Sequence, residues 1–448
     1  MLNLLYDKFK SKKLKIAFFG IGKSNTGVID YLLRHGIDFE LTIRSDTDVK
    51  SFPRASRIFS GAYALCDIDE DIIFLSPSVR RDRPELVAAE RCGTLLFSDA
   101  EFFFALSKQR IFAVTGSDGK STTTYLISEL LRSAGTYAEP AGNYGVSLTS
   151  LLDSECDVVA ELSSFQLMYT APKSFASVIT NIVPNHLNWH KSLDEYSAAK
   201  KNILKNAKRV VGDYDSVLLR PIVCENRPFA LISTTLSYEE LVRAADSENY
   251  LTISSDTVFL NGTPYFSVAH AKRKEEYNLK NYMLSAAATL GITSGEDIER
   301  TIGSFSGLPH RAELVDVRDG ISYINSSIDS SPIRTLKTLS SLNGNVAVII
   351  SGIGKRLPVA ELAQSLPTLT VGAVFMGEIG RELIEYINEN NIRYKYKTAE
   401  DMTDAVKKAK SFLSGGGTVI LSPAATSFDK YKNFEERGLD FKKAVTKS

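Results

Sequence analysis

The stretch Ile111-Phe-Ala-Val-Thr115-Gly116-Ser117-Asp118-Gly119-Lys120-Ser121-Thr122-Thr-Thr124 decides how this chain is read. Ile111 to Val114 is a short apolar, β-rich run of the kind that forms a buried parallel strand. A turn with Gly116 and Gly119 follows. Ser121 to Ala134 then reads as a helix with Leu126, Ile127, Leu130 and Leu131 on one face. Strand, glycine loop, Lys-Ser and helix together hold phosphates. The glycines let backbone N–H groups come close, the helix N-terminus adds its positive dipole end, and the lysine offsets charge. The hydroxyl of Ser121 is placed to ligate Mg²⁺. Val114 stands where the common phosphate-loop pattern has another glycine. The plain alternative is a glycine-rich turn of any α/β protein; the flanking strand and helix favour nucleotide phosphate binding.

Working outward, 448 residues exceed one typical core, so two or three domains are expected. A hydrophobic content of 44% and a charged content of 24% are ordinary for a soluble globular protein. The net charge is zero, so no basic field points to nucleic acid or an anionic membrane. Cys66, Cys92, Cys156 and Cys224 lie far apart without Cys-x-x-Cys pairing, which argues against disulfides or zinc and suits a reducing cytoplasm. No signal peptide or membrane-spanning run is read in the sequence.

Upstream, Lys15-Ile-Ala-Phe-Phe-Gly20-Ile-Gly22-Lys23-Ser24-Asn25 is a strand entering a glycine turn, followed by a helix ending at Gly36. With strands at Phe39–Ile43 and Asp71–Leu75, this is a small Rossmann-like domain. A nicotinamide-type cofactor is disfavoured, because Asn25 replaces the third glycine and Arg44-Ser45 end the second strand without a carboxylate. Downstream, the strand Cys156–Ala160 leads into Glu161-Leu-Ser-Ser-Phe-Gln166, placing a carboxylate where ligands bind in parallel sheets. The strand Ala176–Val183 ends near His186, and a helix from about Leu193 carries Lys200. His35, His190 and His270 read as plain surface residues. Asn278 and Asn281 lie one turn apart before an alanine-rich helix, Tyr282–Gly291. Phe305-Ser-Gly-Leu-Pro-His310-Arg311-Ala-Glu313 forms a rigid corner before a last domain whose strand ends carry hydroxyls, glycines or cations.

Taken in order, these blocks resemble the Mur ligases over nearly the whole chain. The anchors are Thr115–Ser121, Glu161–Gln166, His186 with Ala199-Lys200, Asn278 with Asn281, Gly307–Glu313, Ser422-Pro-Ala-Ala-Thr-Ser427-Phe-Asp429 and Lys432-Asn-Phe434-Glu-Glu-Arg437-Gly438. The Glu161 and Ser422 blocks are those of the D-glutamate-adding members. The resemblance implies an α/β protein of three domains: a Rossmann-like N-terminal domain (1-108) for a UDP substrate, a P-loop ATPase-like central domain (109-313), and a Rossmann-like C-terminal domain (314-448) for the amino acid. It implies that ATP, UDP-N-acetylmuramoyl-L-alanine and D-glutamate give an amide, ADP and phosphate through an acyl phosphate. Lys120, Glu161, His186, Lys200 and Arg311 would be catalytic, and Gly116 to Thr122, Asn278, Asn281 and Arg311 would hold ATP. Mg²⁺ would be ligated by Ser121, Glu161, His186 and a carbamylated Lys200; unmodified, Lys200 is a solvated helix lysine. Ser24, Asn25, Ser76 and Asn143 would contact the UDP substrate, and Ser330, Lys355, Ser427 and Phe434 the D-glutamate. A cytoplasmic monomer without nucleic-acid or membrane partners is expected.

The sequence departs from the pattern at Asn185, Tyr277 and, above all, Asn325-Ser326-Ser327-Ile328. There Ser326 replaces a carboxylate expected near the ribose and Ile328 a lysine, with Asp329 close enough to compensate. A sibling amide ligase with another amino acid, or a folylpolyglutamate-type synthase, is the alternative within enzymes. A nucleotide-binding protein without turnover is the alternative outside them.

Overall fold

A computed structural model describes residues 13–187, 189–354 and 358–447. The chain divides into two compact units after Phe305. The first holds two sheets and the second holds one.

In the first sheet, β1 (Leu14–Phe19), β2 (Phe39–Ser45), β3 (Arg57–Ser60), β4 (Ile72–Leu75) and β5 (Leu95–Phe97) run parallel in the order β3-β2-β1-β4-β5. The second sheet contains β6 (Ile111–Thr115), β7 (Ala138–Gly142), β8 (Asp157–Glu161), β9 (Lys173–Ile179), β10 (Asn206–Asp213), β11 (Ala230–Ser233), β12 (Asn249–Ser254), β13 (Thr257–Leu260) and β14 (Thr263–Ser267). Its order is β14-β13-β12-β11-β10-β9-β6-β8-β7, parallel except for the hairpins at β13 and β14. The unbroken apolar runs of β6 and β8 suit strands covered on both faces: their hydrophobic residues are buried, with Ala113, Val158 and Ala160 wholly enclosed.

β6 lies between β8 and β9, with Val114 paired to Glu161 and Thr115 to Ile179. The chain leaves β6 towards one side and returns on the other, so the carboxyl ends of these three strands open a switch-point crevice. The expected helix after β6 is Lys120–Ser133, with Leu126, Ile127, Leu130 and Leu131 buried. The later alanine-rich helix starts earlier than its composition suggested, at Glu276, so Asn278 and Asn281 lie within it and are buried. Within this unit Arg80, after β4, pairs with Glu195 and donates to Trp189 O, while Trp189 Nε1 donates to Ser78 O at 2.8 Å.

The second unit contains β15 (Glu313–Arg318), β16 (Ile321–Asn325), β17 (Val346–Ser351), β18 (Gly372–Phe375), β19 (Tyr396–Thr398) and β20 (Gly417–Ala424), in the order β15-β16-β20-β17-β18-β19. Among the described residues only β15 is antiparallel to its neighbour. Since the division falls after Phe305, the Gly307–Glu313 block belongs to this unit. The four cysteines are free, and among the described residues no helix is long and apolar enough to cross a membrane.

Candidate active site

The phosphate loop is held from below. Gly116 has φ +151° and Gly119, the N-cap of the helix Lys120–Ser133, has φ +81°. A Cβ at Gly116 would lie 1.8 Å from Thr180 Oγ1, and one at Gly119 would lie 2.6 Å from Asn281 Oδ1. Both glycines are therefore dictated by conformation and by close approach. Asn181, just past β9, accepts from Asp118 N at 2.9 Å through its side chain and from Ser117 N at 2.9 Å through its carbonyl. The Ser117 hydroxyl lies 2.8 Å from the Tyr196 hydroxyl and donates to Val183 O. Lys120 Nζ donates to Gly116 O (3.0 Å) and Ser117 O (2.9 Å), and Ser121 is buried at the helix start.

Glu161, the last residue of β8, is fully buried. Its Oε1 accepts from Asn143 Nδ2 at 2.6 Å, while Oε2 has no hydrogen-bond partner among the described residues. A buried carboxylate oxygen without a donor is costly, and ligation of a hard cation resolves it. Lys200, on the helix Leu193–Lys201, is 1% exposed and donates to Gly116 O at 2.6 Å. The alternative of a solvated helix lysine is thus overturned. Burial first, and then the Lys120 charge, hold its pKa well below the usual lysine range, opposed by Glu161 and Asp118. The shift favours the neutral amine, the nucleophilic form of a lysine. His186 is exposed on the loop after β9, at φ +55°, with its ring 5.0 Å from that of Phe165.

His190 requires a correction: it is wholly buried, not on the surface. The rings of Phe165, Trp189 and Tyr196 pack around its ring and shield it from water. Burial lowers its pKa to about 4. Among the described residues no group of three or more His, Cys, Asp or Glu side chains is assembled for a metal. Any cation site here would therefore draw on Ser121, Lys200 and phosphate oxygens as well as Glu161 and His186.

Asn281 Oδ1 accepts from Thr123 Oγ1 at 3.2 Å, and Asn278 Nδ2 donates to Glu275 Oε2 at 2.9 Å. In the first sheet the buried Asn25 donates through Nδ2 to Gly20 O (2.8 Å) and Phe19 O (3.1 Å), and its Oδ1 has no partner among the described residues. Ser76 packs on Gly20, where a Cβ would meet its Oγ at 2.2 Å. Ser24 hydrogen-bonds the buried Asp99, whose carboxyl is pushed up by desolvation. Arg44, near the end of β2, is fully buried and donates three hydrogen bonds to Glu70 (2.9, 3.0 and 3.1 Å).

In the second unit the Gly307–Glu313 corner is stitched to the loop after β16. Ala312 N donates to Ser326 Oγ at 3.2 Å, Ile328 N donates to His310 O at 3.2 Å, and the His310 ring meets that of Phe434 edge-on at 5.9 Å. Arg311 is exposed and Ser427 is buried, while Ser330 and Phe434 are half-buried. Lys355 lies outside the described residues.

Residues 114–289 match the family model of the Mur ligase middle domain. The chain is 34% identical to the UDP-N-acetylmuramoylalanine–D-glutamate ligase of Acetivibrio thermocellus, covering 98% of this chain and 97% of that one. It is likewise 34% identical to the ligase of the same name from Ruminiclostridium cellulolyticum, covering 99% of each. The chain belongs to the Mur ligase family. Its fold is similar to that of the UDP-N-acetylmuramate-alanine ligase of Thermotoga maritima, with a TM-score of 0.56 at 19% identity over 96% of this chain and 100% of that one. The murein peptide ligase of Psychrobacter arcticus gives a TM-score of 0.52 at 15% identity over 96% and 98%.

Within this Mur ligase the departures at Ser326 to Asp329 have a structural account. Ser326 is buried and accepts from Ala312 N. Asp329, expected to compensate for it, is turned inward: its Oδ2 accepts from Ser422 Oγ at 2.9 Å, and desolvation pushes its pKa up. A carboxylate committed to buried hydroxyls is spent on holding this loop to β20. Sequence reasoning missed Asn181, Tyr196 and His190. Asn181 falls inside the strand expected over Ala176–Val183, whereas β9 ends at Ile179 and leaves it in the following loop; the other two carry no local signal.

Proposed function

We propose that this Mur ligase joins D-glutamate to UDP-N-acetylmuramoyl-L-alanine at the expense of ATP. The observation that carries the reading is the convergence of Lys120 and Lys200 on the carbonyl of Gly116, beside the half-satisfied carboxylate of Glu161. That group is suited to an attack between two anions. The alanyl carboxylate oxygen bonds to the γ-phosphorus as the bond to ADP breaks. The glutamate amine then attacks the acyl-phosphate carbonyl, and phosphate leaves as the amine proton passes to solvent or a base. Lys120 offsets the charge gathering on the transferred phosphoryl group.

Ser121, Glu161, His186 and Lys200 would hold Mg²⁺; when bound, it supplies Lewis-acid stabilisation of the transferring group. In its neutral form, which burial favours, the Lys200 amine would take up CO₂, forming an N–C bond and releasing a proton, so that a carboxylate-like carbamate stands where an ammonium would otherwise be. Asn278, Asn281, Arg311 and Gly116 to Thr122 would hold ATP. Ser24, Asn25, Ser76 and Asn143 would hold the UDP substrate, and Ser330, Lys355, Ser427 and Phe434 the D-glutamate. The domains are taken as 1-108, 109-313 and 314-448, in a cytoplasmic monomer.

The test is phosphate release from ATP and UDP-N-acetylmuramoyl-L-alanine with single amino acids added. Release is expected with D-glutamate, and at least ~10²-fold less with L-glutamate, L-alanine or L-lysine, where a buried polar contact is lost or misplaced. Release with another amino acid alone would favour a sibling ligase. No release with any would favour a binding protein without turnover.

A further inference from the structure

Buried histidines are seldom left half-paired, and His190 is one of them. Its Nε2 lies 2.9 Å from Ser164 Oγ, while Nδ1 has no hydrogen-bond partner among the described residues and lies 3.7 Å from Glu195 Oε2. A proton on Nδ1 faces the Glu195 carboxylate and leaves Nε2 to accept from the Ser164 hydroxyl. An isolated core histidine of this kind forfeits hydrogen-bond energy, and a phenylalanine would fill the volume at lower cost.

Its neighbours supply a reason. Ser164 and Phe165 follow Glu161 by three and four residues, and the Phe165 ring stacks on the His190 ring at 5.7 Å and 15°. His190 N donates to His186 O at 2.9 Å, closing the turn that presents His186. The Tyr196 ring meets His190 edge-on at 5.2 Å. Tyr196 stands one helical turn before Lys200, lies 4.7 Å from its Nζ, and touches the phosphate loop through Ser117. One imidazole thus touches the segments that carry Glu161 and His186, and reaches Lys200 and the loop through one further ring.

We propose that His190 is a positioning residue for the divalent-cation site, fixing the Glu161 segment, the His186 turn and the Lys200 helix in one register. The inference rests on the reading of Glu161, His186 and Lys200 as metal ligands. It assigns the orienting role to the Nε2–Ser164 hydrogen bond and the ring stack.

Mn²⁺ titration of the full-length protein, followed by electron paramagnetic resonance with ADP and bicarbonate present, tests it without turnover. His190→Ala is expected to weaken Mn²⁺ binding about 10- to 100-fold, the usual cost of losing a group that orients a ligand. ADP affinity measured without metal should stay within about twofold, a split that general loosening of the site would not give. His190→Gln, whose amide reaches the Nε2 position, should recover most of the affinity, and Ser164→Ala should reproduce the loss. If His190→Ala does not fold, the His190→Gln and Ser164→Ala pair still decides. Mn²⁺ affinity unchanged in Ser164→Ala, or an equal fall in metal-free ADP affinity, overturns the proposal. Wild-type protein that binds no Mn²⁺ overturns the metal reading itself.

Discussion

At Gly116 the backbone adopts a conformation that L side chains avoid, and Thr180 Oγ1 occupies the space a Cβ would take. Gly116→Ala is expected to destabilise the protein by about 3 kcal/mol through strain and overpacking, read as a lower urea midpoint, and to weaken ADP binding. Lys200 is the other decisive single residue. Lys200→Ala should lower kcat about 10³-fold, and a short carboxylic acid such as propionate should restore part of it. A fully active Lys200→Ala protein would contradict the carbamate. The loop glycines, Lys120 and Glu161 were legible because each follows from local sequence: a turn, a helix start, a strand end. The burial of Lys200 and His190 was not, since it depends on rings of Phe165, Trp189 and Tyr196 brought together by tertiary packing.

At the scale of elements, the link between the β4 loop and the helix carrying Lys200 is ionic. Arg80 holds the Glu195 carboxyl at about 2, well below its ordinary 4.5, chiefly by hydrogen bonding. A carboxylate depressed in the folded state contributes stability above its ordinary pKa and loses it as pH falls through the folded value. Acid unfolding monitored by circular dichroism should therefore steepen between pH 4.5 and about 2, and Arg80→Gln should flatten that slope. In the second unit Arg437 is fully buried on the helix Phe434–Lys447 and donates to Ser351 O, Ser327 O and Ala425 O, each at 3.0 Å. Arg437→Met should cost this unit about 3 kcal/mol by leaving three carbonyls unpaired, measured by urea unfolding. Strand order and helix phase were only partly legible: Asn278 and Asn281 were recognised as a pair, yet their helix begins at Glu276. The burial of Arg44 was not legible, because nothing near it in sequence announces Glu70, its partner 26 residues on.

At the scale of the whole molecule, the sequence carried the α/β class through the apolar strands and glycine turns that begin each sheet. The short β3 and β5 and the antiparallel β15 were not visible, since short or edge strands carry too little pattern. The central claim is that the alanyl carboxylate is phosphorylated before the amide forms. The direct measurement is mass spectrometry of the phosphate released from UDP-N-acetylmuramoyl-L-alanine labelled with ¹⁸O in its carboxyl group. With ATP and D-glutamate present, one labelled oxygen is expected in each phosphate released; phosphate formed without label would mean that water, not the carboxylate, attacks ATP.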